Sequence, residues 1–129
     1  MKKFIKTANL HLLISTSIVV PAAIIYGFQP ALLFDVKLNT TDEQNIFKAI
    51  MGLYLAFASV WIIGVFDEKY WKTATICNIF FMFGLAFGRI ISMIVDGVPS
   101  PLFVFGTIGE ITLGAYGLWT IRQHSVKLT

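Results

Sequence analysis

Four charged side chains stand inside, or at the rim of, long apolar runs: Lys48, Arg89, Asp96 and Glu110. A lone charge at the middle of a bilayer costs about 2.5 to 3.5 kcal/mol, so such groups are expected to face one another. Taking 1.5 Å per residue, Arg89 lies roughly 10 Å inside the end of its apolar helix, which Asp96 closes. Glu110 lies roughly 13 Å inside the start of the next helix. The matched depths predict an Arg89–Glu110 ion pair. Asp96 and Lys48 lie nearer the same membrane surface, and Lys48 has a stem long enough to snorkel. The formal charges of the four cancel, as an internal network requires. Ser92 shares a helical face with Arg89 and Asp96, and Asn45 shares one with Lys48, so both join the candidate set.

Three kinds of chemistry fit these residue types. The ion pair could do no more than fix helix register. The charged groups could line a polar pocket, open to one surface or to lipid, that binds a lipid or another amphipathic small molecule or docks a membrane partner. Glu110, with Asp96 as a second carboxylate, could serve as the acid–base pair of an isomerase-like enzyme acting on a lipid. A minimal transporter or an accessory subunit of a larger complex is a further possibility. Four helices would then have to oligomerise. No metal centre is expected, because the two histidines are far apart and Cys77 is the single cysteine. Cys77 reads as a small apolar residue, and His11 as an interfacial or packing histidine. No cofactor is implied.

These residues need a frame, and composition names it. The chain of 129 residues is 57% hydrophobic and 13% charged, with a mean hydropathy of +0.77. Soluble domains are about 25% charged. Too few polar groups remain to cover a water-facing surface, so a bilayer must serve as solvent. The expected fold is all-α: an integral membrane bundle of four antiparallel transmembrane helices in one domain, over about 6–28, 42–66, 73–95 and 101–121. Each is long enough to cross roughly 30 Å of hydrocarbon. The first run continues through Ile24, Ile25, Tyr26 and Phe28 beyond Pro21-Ala22-Ala23, so it reads as an uncleaved span and not a signal peptide.

Local signals set the ends. Thr41-Asp42-Glu43-Gln44 reads as a capping box that opens the second helix. Asp67 to Lys72 reads as a charged turn. Gly97-Val98-Pro99 stops the third helix, and Ser100-Pro101 opens the fourth as N-cap and first-turn proline. The connector Gln29 to Thr41 carries an apolar patch, Ala31 to Phe34, suited to headgroup level. Lys2, Lys3, Lys6, Lys69, Lys72, Arg122 and Lys127 fall at one end of the bundle, whereas the opposite connectors hold Lys37 alone. The positive-inside rule then predicts cytoplasmic termini. Tyr70, Trp71 and Trp119 would form an aromatic belt at that inner surface. The net charge of +3 is gathered in connectors, which reads as a topology signal and not as a nucleic-acid footprint.

At 100° per residue each helix shows one polar or small stripe, expected to face inward: His11, Ser15, Ala22 and, at its end, Gln29; Asn45, Lys48, Gly52 and Ser59; Asn78, Arg89, Ser92 and Asp96; Gly106, Glu110, Gly114 and Gly117. Gly84-x-x-x-Gly88 offers another close-approach face.

With these residues in view, the chain resembles the DUF4345 family, small four-helix bacterial membrane proteins. The resemblance rests on Asn45 to Tyr54, on Gly84 to Ser92 with its Gly88-Arg89-x-x-Ser92, on Asp96-Gly97-Val98-Pro99-Ser100-Pro101, and on Glu110. Lys48 stands where many members are expected to carry arginine, which keeps the charge but loses the planar fork. The resemblance implies this fold and supports the choice of residues, and names no reaction; the chain is expected to be an inner-membrane protein. A looser likeness, in fold and charged core only, is to membrane proteins of the emopamil-binding type.

Overall fold

The computed structural model describes residues 7–128, with side chains as far as His124. Lys2, Lys3, Lys6 and the side chain of Lys127 therefore lie outside the described residues. Within them the chain is helical: α1 (Thr7–Phe28), a 3-10 turn (Pro30–Leu32), α2 (Thr41–Phe66), α3 (Glu68–Val95) and α4 (Pro101–Leu128), with no strand. All four helices are long and apolar enough to cross a membrane. α1 runs unbroken through Pro21.

Three boundaries differ from the sequence reading, each for a local reason. The capping box of α2 sits one residue earlier, at Thr40. Its hydroxyl accepts from the Glu43 amide at 3.1 Å, and the Glu43 carboxylate accepts from the Thr40 amide at 3.2 Å. A carboxylate is the stronger acceptor, so Glu43 takes the place expected of Gln44. The charged segment after α2 is the first turn of α3. Asp67 alone joins the two helices: its amide donates to the Ile63 carbonyl at 2.9 Å, and its carboxylate accepts from the Lys69 amide at 3.0 Å. At the other end of α3, Gly97 holds φ 107°, the left-handed conformation suited to glycine just past a helix end. α4 continues beyond Ile121, since no glycine or proline stops it. His124, on that extra turn, packs its ring 4.7 Å from the Trp71 ring.

One end of the bundle is tight. Gly64 meets Ala74 so closely that an added Cβ would collide with it. The Trp71 indole donates to the Ala8 carbonyl at 3.1 Å, and the Tyr116 hydroxyl to the Thr7 carbonyl at 3.3 Å. Trp71 is thus buried, while Tyr70 and Trp119 are exposed as a belt requires. Higher up, Phe83 packs on Gly114 and Ile79 on Gly117. α4 leans on α3 and touches α1 only lightly.

The inward face of α2 is not the polar stripe. Tyr54, Ala58, Trp61, Gly64 and Val65 are buried, whereas Asn45, Lys48, Gly52 and Ser59 are exposed. Bulk decides here: Tyr54 and Trp61 interlock edge-on with Phe81 at 5.1 and 5.0 Å between ring centroids. Gly84 and Gly88 have open space where a Cβ would go, so they mediate no close approach within this chain. Large apolar side chains cover the outside; Phe80 is 75% and Ile94 79% exposed.

Candidate functional site

The ion pair predicted from depth is present. Arg89 Nε donates to both carboxylate oxygens of Glu110, at 2.9 and 3.1 Å. Both side chains are largely shielded, at 22% and 12% exposure. α3 delivers Arg89 and α4 delivers Glu110 because the Gly97 to Ser100 turn brings the two helices back side by side. Two groups that sequence reasoning had not included complete the setting. The Tyr26 hydroxyl of α1 accepts from Arg89 Nη2 at 3.4 Å, and the guanidinium carbon lies 5.4 Å above the centre of the Phe103 ring. A cation over an aromatic face gains electrostatically, more so away from water.

Phe34 closes this corner from the connector. Its ring stacks on Tyr26 and on Phe103, each at 4.9 Å between centroids. The apolar patch therefore divides its labour. Leu32 and Leu33 stay exposed, and Phe34 turns inward as a wedge. Tyr26 carried one signal in the sequence, since a tyrosine in an apolar run needs a partner for its hydroxyl. Phe34 and Phe103 carried none that sets them apart from lipid-facing phenylalanines.

The other candidates stand elsewhere. Ser92 donates to Asp96 Oδ2 at 2.8 Å on the exposed side of α3. Lys48 points its ammonium toward the Phe28 ring, 5.5 Å from its centre, and is exposed. Asn45 is exposed as well. The internal network of four charges is thus a pair with two outlying residues. The outer end of a helix lets Lys48 and Asp96 reach polar surroundings at little cost, whereas Arg89 and Glu110 are too deep to do so.

Two hollows flank Arg89. One, of about 450 Å³, is walled by Ala22 and Ile25 of α1, Met82 of α3, Gly106 and Gly109 of α4, and Phe34, and it reaches Arg89 and Glu110. Its rim residues Ile18, Pro21, Leu102 and Phe105 are exposed, so it opens sideways where α1 and α4 part. The second, of about 400 Å³, is a crevice between α2 and α3 lined by Phe47, Ile50, Gly84, Gly88 and Ser92, with Arg89 at its floor. Arg89 thus borders both hollows, and Glu110 the first alone. Among the described residues no group of three His, Cys, Asp or Glu side chains could hold a metal ion.

The sequence model of one protein family matches residues 7–121; its description is "Domain of unknown function (DUF4345)". The match takes in the first three helices and most of α4, and bears out the resemblance read from the motifs. Neither a curated protein nor a solved structure matches the chain.

Proposed function

Since the chain belongs to the DUF4345 family and that membership fixes no chemistry, we propose from the site itself that the protein binds a neutral amphipathic lipid in the hollow between α1 and α4. The apolar body would lie among the α1 and α4 side chains, with an oxygen-bearing head at Arg89. One observation carries this reading: an apolar hollow large enough for part of a lipid ends on a charged pair. Ligand sites have that form, mostly apolar walls with a few polar groups to fix orientation.

The pair also constrains the head. Glu110 already balances Arg89, so a charged head would bring an uncompensated charge into a poorly solvated place. Arg89 commits Nε to Glu110 and Nη2 to Tyr26, which leaves guanidinium N–H groups for an acceptor such as a carbonyl or hydroxyl oxygen. The sideways opening suits a molecule arriving from the bilayer. Asp96 is bonded to Ser92 away from Glu110, so no observation favours the two as a catalytic couple. The reading includes an inner-membrane location with both termini cytoplasmic, supported by Lys69, Lys72 and Arg122 against Lys37.

Native mass spectrometry of the full chain, exposed to a bacterial total lipid extract and released from mild detergent, tests the binding. The expected result is a retained neutral-lipid adduct on the wild type, lost in the doubly substituted Arg89→Met/Glu110→Gln protein. An adduct kept equally by that variant, or none on the wild type, overturns the reading.

A further inference from the structure

The tight half of the bundle buries a second polar group of residues, remote from Arg89. His11 and Ser15 of α1, Trp61 of α2, and Thr75 and Asn78 of α3 are each 0% exposed. Counted from the ends of their helices at 1.5 Å per residue, they lie within one layer roughly 6 to 15 Å deep. Their polar atoms have no protein partner among the described residues: both ring nitrogens of His11, the Ser15 and Thr75 hydroxyls, the Trp61 indole nitrogen, and both amide atoms of Asn78. Buried polar groups in folded proteins are nearly always satisfied, by protein or by ordered water.

The lack of partners is not forced by helical geometry. Thr16, Ser17, Ser59, Thr107, Thr112 and Thr120 each return their hydroxyl to the carbonyl four residues back, at 2.8 to 2.9 Å. Ser15 and Thr75 have the same option and do not take it. The Ala8 backbone lies beside His11, and its carbonyl keeps a second lone pair besides the one that takes the Trp71 indole, so it serves one His11 nitrogen at most and leaves the other. We propose that this layer is a binding site for internal water, held by His11, Ser15, Trp61, Thr75 and Asn78.

The chemistry selects water over an ion. The five side chains supply donors and acceptors together, and none is a fixed charge. The nearest fixed charges along α3 and α4, Lys72 and Arg122, are exposed at the end of the bundle and not in the layer. On the far side Arg89 and Glu110 cancel each other, and Arg89 is eleven residues beyond Asn78, with Met82 and Ala86 buried between. An ion would find no countercharge in the layer. A water can donate and accept at once, and internal waters usually make about three hydrogen bonds to groups of this kind. Stacking of His11 on Tyr116, 5.7 Å between centroids, helps close the layer on one side. Phe81 packs edge-on against Trp61, 5.0 Å between centroids.

Hydroxyl-radical labelling by X-ray pulses in ¹⁸O water, read residue by residue by mass spectrometry on the full chain in detergent, tests this. Radicals form from water in place, so a hydrated buried residue is labelled despite its burial. Trp61 is 0% exposed and Trp71 is 7% exposed, and exposure alone ranks Trp71 higher. The proposal expects the reverse order, with Trp61 labelled faster than Trp71 and His11 labelled as well. It also expects Ser15→Ala with Asn78→Leu to lower Trp61 labelling to the Trp71 rate while Trp119 is unchanged. Trp61 labelled no faster than Trp71 in the wild type overturns the proposal, whether or not the variant folds.

Discussion

Arg89 and Glu110 illustrate how much one partner depends on the other in an apolar setting. Arg89→Met alone leaves a carboxylate facing the hollow, and Glu110→Gln alone leaves a guanidinium. Each is expected to lower stability by about 3 kcal/mol, the low end for a broken buried pair because both groups keep some exposure. The double substitution should recover most of that loss. Unfolding of the four proteins in one detergent, compared as a double-mutant cycle, checks it; additive losses would mean that the pair is not coupled. Tyr26→Phe removes only a long hydrogen bond of 3.4 Å and should cost less than about 1 kcal/mol in the same assay. The pair was legible in the sequence because depth in a bilayer can be counted from helix ends, and unpaired charges at that depth are costly. Tyr26, Phe34 and Phe103 were not, because an aromatic ring facing lipid and one facing a guanidinium look alike in hydropathy. The inward stripe of α1 placed His11 and Ser15 on the buried face, as the structure does; the same rule failed for α2.

At the scale of helices, α2 shows where polarity fails as a guide. Lipid tails and a protein core are equally apolar, so hydrophobicity cannot orient a span. Shape does: Tyr54 and Trp61 fit around Phe81, and the polar stripe of Asn45, Lys48, Gly52 and Ser59 is turned outward. The α2 cap was read correctly in kind and missed by one residue, because Gln44 and Glu43 compete for one role. Glycines divide in the same way between packed and open. Gly64→Ala should destabilise by about 1 to 3 kcal/mol, since the new methyl meets Ala74 and the Tyr70 carbonyl, neither of which can rotate away. Gly84→Ala meets nothing and should leave the melting temperature unchanged or raise it. Thermal unfolding of both variants checks the contrast. A loss at Gly84 would instead indicate that another copy of the chain packs there.

For the molecule as a whole, the all-helical architecture followed from composition and run length, because four runs of this length leave a bundle few alternatives. Orientation is the property to test at this scale. With Cys77 replaced by serine, a cysteine at Asn39 should react with an impermeant thiol reagent added to intact cells. Labelling seen only after the inner surface is opened would reverse the assigned topology. The two hollows lie toward the half of the bundle that holds the long connector, where α1 and α2 still touch closely at Gly27 and Met51; the Gly64–Ala74 contact lies at the end that holds Asp67.

That single joining residue acts as the spring of a clothes-peg. Asp67 finishes one helix and begins the next with no slack between them, so α2 and α3 cannot separate where they meet. Any widening of the gap between them must grow with distance from Asp67, so it is larger around Phe47 and Gly88, where Arg89 lines the crevice, than around Trp61 and Ala74.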